Sequence, residues 1–519
     1  MRSNIWIASA SAMLAAYLVP MGARAGDPTS VSLATSAVTD NTTSTAIIAQ
    51  AGLPHSASGP SPGNGGSASG LSTNPSNNTT GGQSLTGVPL PLSGPPLTGL
   101  FPSLGRTLLD DGIEIHGISF DHFLANPTAG NITGQTYNFA VVAPAVDLDL
   151  GKLVGVRGGN VHLQLTFFGL RSNIPAIITD TGGFLTGTQT TPGPSTDPVL
   201  LSVLTYEQKL LGDRLSIEAG RTNVYHYFLI PNSIDVFTYF ASTFNVVGNF
   251  NSNPYPTWGG RATYHFTPTW YVQGGAFEDD FYRSIYNPND LGGVDPAGAQ
   301  ILGEVGHRSE FSNAAYPSNL ELGAEWNTRS GFNPHVNVKG AAVLASKRNE
   351  ATDYPGGGVF FFQGQQVLWR GARKAYGPPT NIALYGSVDA SFDKPQPIDM
   401  DALAGINFTG FVPGRPFDVL ELQAHYQRLS AIEANYETRT QNRFAGPGPA
   451  QSRNGYAFEV VGNIQLTPWL GLRPNVQYFV DPDNLFDPAQ RRRPSDGFEA
   501  GALAIVSLGK LLGTSNKPF

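Results

Sequence analysis

Polar side chains recur at every second position in several stretches of the sequence, where they alternate with apolar ones. Their carboxylate, amide, imidazole and guanidinium groups can exchange hydrogen bonds with the hydroxyl groups of a neutral solute. The candidate solute-binding residues are Glu218, Arg221, Arg261, His265, Glu321, Glu325, Glu421, Gln423, His425, Arg473, Asn475 and Gln477.

Patterns for bond chemistry are absent from the sequence. With no cysteine, the chain has no thiolate metal site, cysteine nucleophile or disulfide scaffold. The histidines lack metal-ligand spacing, and neither a Gly-x-Ser-x-Gly elbow nor a phosphate-binding loop occurs. Asp279 and Asp280 stand where a predicted strand meets a loop, which favours loop solvation over a glycosidase pair. We expect no catalytic residue, no cofactor and no metal ion.

The composition indicates a chain that is partly solvated by something other than water. Of its 519 residues, 40% are hydrophobic and 13% are charged. Soluble globular proteins have a charged fraction of ~25%, about twice as high. The net charge of -8 argues against a nucleic-acid partner, which requires a basic surface.

The first hundred residues carry export and linker signals. Residues 1–25 read as a signal peptide, with Arg2 at the start and an apolar run at Ile5–Val19 that is shorter than the ~20 residues of a membrane-spanning anchor. Residues 26–100 form a low-complexity polar tract that we expect to be disordered, as a tether, a pore-entering segment or, most simply, a linker. A short periplasmic lead-in segment follows at 101–111.

From residue 112 to residue 509 the chain repeats about ten residues of alternation followed by a turn or a loop. Apolar and polar side chains alternate strictly in 420–427, which is typical of a strand between two environments. A soluble β-sandwich buries the apolar face, whereas an outer-membrane barrel turns it toward lipid. Very short turns such as Gly212-Asp213 alternate with long loops such as 429–455, which favours the barrel.

We therefore predict an all-β fold, a sixteen-stranded antiparallel transmembrane β-barrel at 112–509, with a C-terminal tail at 510–519. Both chain ends then lie on the periplasmic side, and the interior is wide enough for an aqueous channel. The predicted strands, which run alternately up and down the barrel, span 113–124, 136–150, 160–170, 199–211, 214–222, 258–267, 269–278, 318–328, 335–345, 359–370, 382–392, 398–411, 418–428, 456–466, 470–480 and 498–508.

The tryptophans give an independent indication of a membrane. Trp270, Trp326, Trp369 and Trp469 fall at predicted periplasmic strand ends, and Trp258 falls at an outer one. The indole ring prefers the headgroup level of a bilayer, so barrels carry aromatic girdles at both interfaces. In a soluble β-protein, these residues would more often occupy the middle of strands.

Short segments, taken in order along the chain, resemble a known family. Asp147–His162, Glu207-Gln208, Gly212–Arg221, Trp258–Arg261 and Leu466–Pro482 are similar to successive segments of the carbohydrate-selective porins of Gram-negative outer membranes, the OprB family. The resemblance covers roughly residues 97–509 and extends the barrel prediction to a function.

Three features depart from the family pattern. The tract 26–100 has no counterpart in the family core, and Leu100–Arg106 stands where a Gly-Asp-Trp-Gly-Gly-like segment is usual. Phe519 lies beyond the last predicted strand, so the signal for membrane insertion is carried either by this residue or by the strand at 498–508.

The resemblance implies a water-filled outer-membrane channel for passive, substrate-selective diffusion of mono- or small oligosaccharides, with an arginine-containing constriction narrowed by infolded loops. It also implies contact with outer-membrane lipid and lipopolysaccharide and insertion by the barrel-assembly machinery, and a homo-oligomer is left open. A general or anion-preferring porin is the main alternative, followed by a secreted sugar-binding β-protein or a barrel enzyme. We expect about one in three of the candidate residues to touch solute, since any porin interior is lined with solvated charge.

Two smaller groups have alternative interpretations. Tyr225, Tyr227 and Phe228 begin the long loop 223–257 and would either line the channel or belong to an interfacial belt. Arg491–Arg493 in the last outer loop would pair with lipopolysaccharide phosphates, attract anions locally, or simply be solvated.

Overall fold

The alternating segments form a closed barrel in the computed structural model. The strands are β1 (Ile113–Asn126), β2 (Gln135–Asp149), β3 (Gly159–Ser172), β4 (Val199–Leu210), β5 (Leu215–Thr222), β6 (Thr257–His265), β7 (Trp270–Asp279), β8 (Gly298–Arg308), β9 (Ser318–Asn327), β10 (Gly331–Asn337), β11 (Ala351–Tyr354), β12 (Gly357–Arg370), β13 (Asn381–Ser391), β14 (Ile398–Thr409), β15 (Val419–Leu429), β16 (Asn454–Thr467), β17 (Leu470–Val480) and β18 (Gly497–Ser507). All except β10 and β11 pair antiparallel with their neighbours in one sheet of sixteen strands, which closes where β1 pairs with β18. This confirms the predicted fold class.

The structure describes residues 97–172, 180–183, 199–224, 227–228, 256–279, 289, 291, 298–329, 331–337, 351–354, 356–372, 377–392, 397–485 and 487–517. The predicted signal peptide, residues 26–96 of the polar tract, Tyr225, Asp280 and Phe519 lie outside these residues.

Apolar side chains cover the outside of the barrel, and polar ones point inward. On β15, Leu420 and Leu422 are 47% and 40% exposed, whereas Glu421 and Gln423 are 0% and 6% exposed. Exposed apolar rows of this extent are unfavourable in water and stable against acyl chains. The rows of apolar side chains therefore do not pack against each other in a core, which contradicts the β-sandwich alternative.

One predicted barrel strand is wrong. The described part of the predicted strand at 335–345, residues 335–337, is not part of the barrel, because Gly331–Asn337 pairs with Ala351–Tyr354 in a separate two-stranded sheet; residues 338–345 lie outside the described residues. Its place is taken by β8, which lies between the predicted strands at 269–278 and 318–328, where no strand was predicted, and pairs with β7 and β9. The alternation of β8 is not visible in the sequence because glycines occupy some of its positions. At the inward position Gly306, a Cβ would come within 2.1 Å of the Tyr271 ring, so no side chain fits there.

The extra strand reverses the predicted direction of the strand at 318–328. Since β9 is antiparallel to β12, Trp326 lies opposite Gly358 at the rim where β12 begins, and it stacks on Phe392 with ring centroids 6.1 Å apart. Trp326 therefore belongs to the outer rim with Trp258, and its predicted periplasmic position is wrong. The aromatic girdle at the outer rim therefore contains one more tryptophan than the sequence indicated.

Among the described residues, four helices lie at the ends of the barrel: α1 (Pro102–Asp111), α2 (Leu150–Val154), α3 (Ala431–Phe444) and α4 (Leu508–Leu512). Of the described helices, none is long and apolar enough to cross a membrane. The alternation gave no sign of α3, which sits in the long outer connection after β15. Ser430 caps it by accepting a hydrogen bond from the Glu433 backbone N–H at 3.2 Å, and Ala434 packs among Val359, Ile398 and Leu429.

The two described ends of the chain meet at the short-turn rim. The backbone N–H of Phe101 donates to the carbonyl of Leu512 at 2.8 Å, which joins the lead-in segment to α4. Lys517 then returns to the first strands, with Nζ 3.0 Å from Glu114 Oε2 and in contact with Asp147. Burial alone would lower the pKa of Lys517, but the two carboxylates outweigh it and raise the pKa. The tail is thus tied to the barrel by charge.

Candidate functional site

The barrel interior collects the polar residues that the alternation singled out. Eleven of the twelve candidates are at most 6% exposed, and His265 is half-buried with its ring 5.7 Å from that of Tyr271. They are Glu218, Arg221, Arg261, Glu321, Glu325, Glu421, Gln423, His425, Arg473, Asn475 and Gln477. Their burial beside exposed apolar neighbours follows from the period of two along each strand.

The facing of Arg221 does not follow from the alternation. Its register partner Leu204 is 38% exposed, yet Arg221 is 1% exposed. Gly220, directly before Arg221 on β5, has a φ of 148°, a conformation open to glycine alone. A Cβ at this position would come within 2.3 Å of the Leu204 carbonyl oxygen. The strand bends at this glycine and buries the arginine.

A charged pair lies at the centre of one wall. Arg261 Nη2 is 3.3 Å from Glu218 Oε2, and both side chains are almost fully buried. Glu218 Oε1 accepts hydrogen bonds from Thr205 Oγ1 at 2.7 Å and from the Tyr227 hydroxyl at 2.8 Å. The guanidinium group of Arg261 also lies 4.7 Å from the centroid of the Tyr227 ring. Tyr227, from the long loop, therefore holds both members of the pair in place.

The hydrogen bonds continue around the same wall to β9. Gln273 Nε2 donates to Glu304 Oε1 at 2.6 Å, and the Tyr271 hydroxyl donates to Glu304 Oε1 at 3.1 Å and to Glu321 Oε1 at 3.3 Å. Arg308 Nη2 lies 2.6 Å from Glu321 Oε1. The sequence prediction missed Glu304 and Arg308 because it missed β8. The sequence could have identified Gln273 and Tyr271 as inward residues, because they alternate with exposed Trp270 and Val272 on a predicted strand.

Apolar side chains at inward positions fix the beginning of the long loop. We call this group the loop anchor: Val224, Tyr227, Phe228, Phe277, Leu302 and Phe361. Phe228 meets Phe277 edge to face with ring centroids 6.2 Å apart, and Phe277 and Phe361 are 2% and 1% exposed. The described part of the loop thus folds into the barrel, and Tyr227 and Phe228 do not belong to an interfacial belt.

A second network lies on the wall formed by β13 to β17. Glu459 is its hub, and it accepts hydrogen bonds from Gln423 at 2.6 Å, Asn475 at 3.1 Å and Gln477 at 2.8 Å. The Tyr385 hydroxyl donates to Gln423 Oε1 at 2.8 Å by passing over Gly405, where a Cβ would meet it at 2.1 Å. Three of the predicted residues are therefore joined by a glutamate that was not predicted.

Three further candidates, His425, Arg473 and Glu325, lie outside these two hydrogen-bond networks. His425 Nε2 is 2.6 Å from Asp401 Oδ2, and Arg473 Nε donates to Asn463 Oδ1 at 3.1 Å. Neither carboxylate oxygen of Glu325 has a hydrogen-bond partner among the described residues, and the same holds there for Asp389. These two buried carboxylates keep open acceptor positions.

Acidic groups outnumber basic ones on the inner surface. Of the arginines on the barrel strands whose burial the structure describes, Arg221, Arg261 and Arg473 are buried, and Arg308, Arg370 and Arg428 are partly buried. The buried carboxylates at inward positions are Glu207, Glu218, Asp279, Glu304, Glu321, Glu325, Asp389, Asp401, Glu421, Glu459 and Glu499. Within the described ranges, no cluster of histidine and carboxylate side chains could hold a metal ion.

The arginine triplet of the last outer loop is divided between two environments. Arg493 Nη1 donates to Gln441 Oε1 at 2.5 Å and Nη2 to Asn442 Oδ1 at 2.7 Å, so this arginine fastens the loop to the end of α3. Arg491 and Arg492 are exposed. Binding of lipopolysaccharide phosphates by the triplet stays a prediction, with two of its three groups accessible.

Comparisons with known proteins agree with this geometry. Residues 137–501 match the model of the OprB family of carbohydrate-selective porins. Porin B of Pseudomonas aeruginosa is 22% identical over 242 residues, which are 44% of this chain and 51% of that protein, so the match spans about half of the relative. The high-pH structure of Pseudomonas putida OprB superimposes with a TM-score of 0.65 at 19% identity, covering 78% of this chain and 96% of that one.

Proposed function

The chain belongs to the OprB family of carbohydrate-selective porins, and from that premise we propose that it forms a water-filled channel for passive, selective diffusion of mono- or small oligosaccharides. It is a protein of the Gram-negative outer membrane. The observation that carries the proposal is the inverted barrel: apolar rows face outward, while hydrogen-bonding side chains enclose the interior. Dependence on the barrel-assembly machinery and a homo-oligomeric state stay predictions.

Weak, exchangeable binding follows from how the inner groups are already paired. Glu218, Glu321 and Glu459 each accept at least two internal hydrogen bonds. A sugar hydroxyl can only share or replace one of these bonds, and such an exchange yields about 0.5–1.5 kcal/mol. The solute is therefore recognised by several small contributions and is released readily, as transport requires.

Sugar-dependent block of single-channel conductance tests the proposal. With the purified protein in a planar bilayer, we expect a neutral sugar added on one side to reduce the ion current in a concentration-dependent, saturable way. A bound sugar occupies the path of the ions, whereas one that passes freely lowers the current only through viscosity. A polyol of matched viscosity is the control, and a current that falls equally with sugar and polyol would contradict selective binding.

Ion selectivity distinguishes this proposal from an anion-preferring porin. Because inward carboxylates outnumber the arginines, we expect the reversal potential under a salt gradient to indicate a preference for cations. The preference should shrink at high ionic strength, since salt screens charges beyond about 10 Å at 0.1 M. A reversal potential of the opposite sign would favour the anion-preferring alternative.

A further inference from the structure

A groove of about 700 Å³ crosses the apolar outer surface of the barrel between β13 and β18. It arises where small side chains stand among large ones: Ala404 and Ala424 lie at its floor, and Leu384, Phe458 and Phe498 are among its walls. These walls are about half exposed. At this depth of an outer-membrane protein, the solvent that fills such a groove is hydrocarbon.

Two arginines lie nearer the outer rim of the barrel than the groove. Arg428 and Arg453 are 39% and 44% exposed, and both contact Asp399, through Nε at 2.5 Å and Nη2 at 3.0 Å respectively. Two guanidinium groups thus share one carboxylate, which leaves a net positive charge with exposed N–H donors. Arginine forks of this kind match the geometry of a phosphate group.

The register places this charge directly above the groove. Arg428, Tyr426 and Ala424 are successive outward residues of β15, so the Cα atoms of Arg428 and of Ala424 at the groove floor are about 14 Å apart along the strand. Tyr426 pairs with Tyr456 on β16, with ring centroids 5.4 Å apart, and these rings lie between the charge and the apolar floor. Charge, aromatic ring and apolar groove follow in the order of headgroup, interface and acyl chain.

The neighbouring charges limit the position of a headgroup. Asp481 and Asp496 are exposed at the outer ends of β17 and β18, and the Asp481 backbone N–H donates to Asp496 Oδ1. They repel an anion from that side. The positive group is therefore confined to the outer ends of β14, β15 and β16.

We propose that this face binds lipid A, the phosphorylated lipid of the outer leaflet, with a phosphate at Arg428 and Arg453 and an acyl chain in the groove. Complementary charge at one end and an apolar floor at the correct depth argue for this occupant. The site is separate from Arg491–Arg493. It requires a barrel in the outer membrane but does not depend on sugar selectivity.

Native mass spectrometry of the delipidated full-length protein with added lipid A tests this site. We expect Arg428→Gln with Arg453→Gln to raise the apparent Kd for lipid A about tenfold, and removal of the phosphates from lipid A to have a similar effect on the unaltered protein. Ala424→Phe should fill the groove and weaken both forms of the lipid. The matched control is Arg214→Gln with Arg415→Gln at the opposite rim, where Arg415 is 38% exposed and paired with Asp418.

Three outcomes would overturn the proposal. The first is unchanged lipid A binding in the Arg428/Arg453 variant, and the second is an affinity for phosphatidylglycerol equal to that for lipid A. The third is a protein dimer that Ala424→Phe abolishes while lipid A binding persists, which would assign this face to a second copy of the chain. Heat-modifiable gel migration verifies that each variant is folded. Conductance block by sugar should be unchanged in all of them, which keeps a failure here distinct from a failure of the transport proposal.

Discussion

Replacing Arg261 with alanine is expected to weaken sugar block of the channel about tenfold while the barrel stays folded. The change removes the counter-charge of Glu218 and the cation that lies over Tyr227, so the carboxylate loses its fixed orientation. An unpaired buried charge costs about 3–5 kcal/mol, which the local structure relieves by rearranging. The measurement is the sugar concentration at half-maximal block in a planar bilayer.

A parallel variant and a control define the result. Arg473→Ala, on the opposite wall, removes the donor to Asn463 and should weaken block in the same direction. Arg214→Ala alters an exposed arginine at the short-turn rim and should leave block unchanged. If neither Arg261→Ala nor Arg473→Ala changes the block, the assignment of these side chains to the solute path is wrong.

Phe361→Ala is expected to raise conductance and to remove most of the sugar block. Phe361 is 1% exposed in the loop anchor, and truncation of a packed phenylalanine costs about 3–5 kcal/mol. The loss loosens Tyr227 and Phe228, which position the Glu218–Arg261 pair and carry the start of the infolded loop. Single-channel recordings with and without sugar measure both effects.

The chain offers a matched control one residue away. Phe360 is 60% exposed on the outer face of the same strand, so Phe360→Ala should leave both conductance and block unchanged. Equal effects of the two variants would mean that general loosening of the barrel, rather than release of the loop, explains the result.

Most of the barrel could be predicted because period-two alternation is a direct consequence of a wall between lipid and water. The prediction failed where glycine replaced one face. In β8, Gly303 and Gly306 remove side chains from both faces, and the space at Gly306 is needed by Tyr271. The alternation near residue 335 belongs to a strand, but strand pattern alone does not say which sheet the strand joins.

The inward residues could be predicted individually, but their partners could not. The alternation placed Glu218 and Arg261 on the inner face, and cross-strand register then set them directly opposite each other. Tyr227 reaches the same carboxylate from a loop, and the sequence gives no distance across a loop. Glu459 likewise lay on an alternating strand, yet its role as a hub depends on the register of β15 to β17.

Liposome swelling with sugars and with amino acids of matched size tests sugar selectivity most directly. We expect proteoliposomes to swell faster with mono- and disaccharides than with the amino acids, because only the sugars present many hydroxyl groups to the paired carboxylates and amides of the inner wall. Empty liposomes and the Phe361→Ala variant are the references. Equal swelling rates for sugars and amino acids of the same size would contradict the account and describe a general pore.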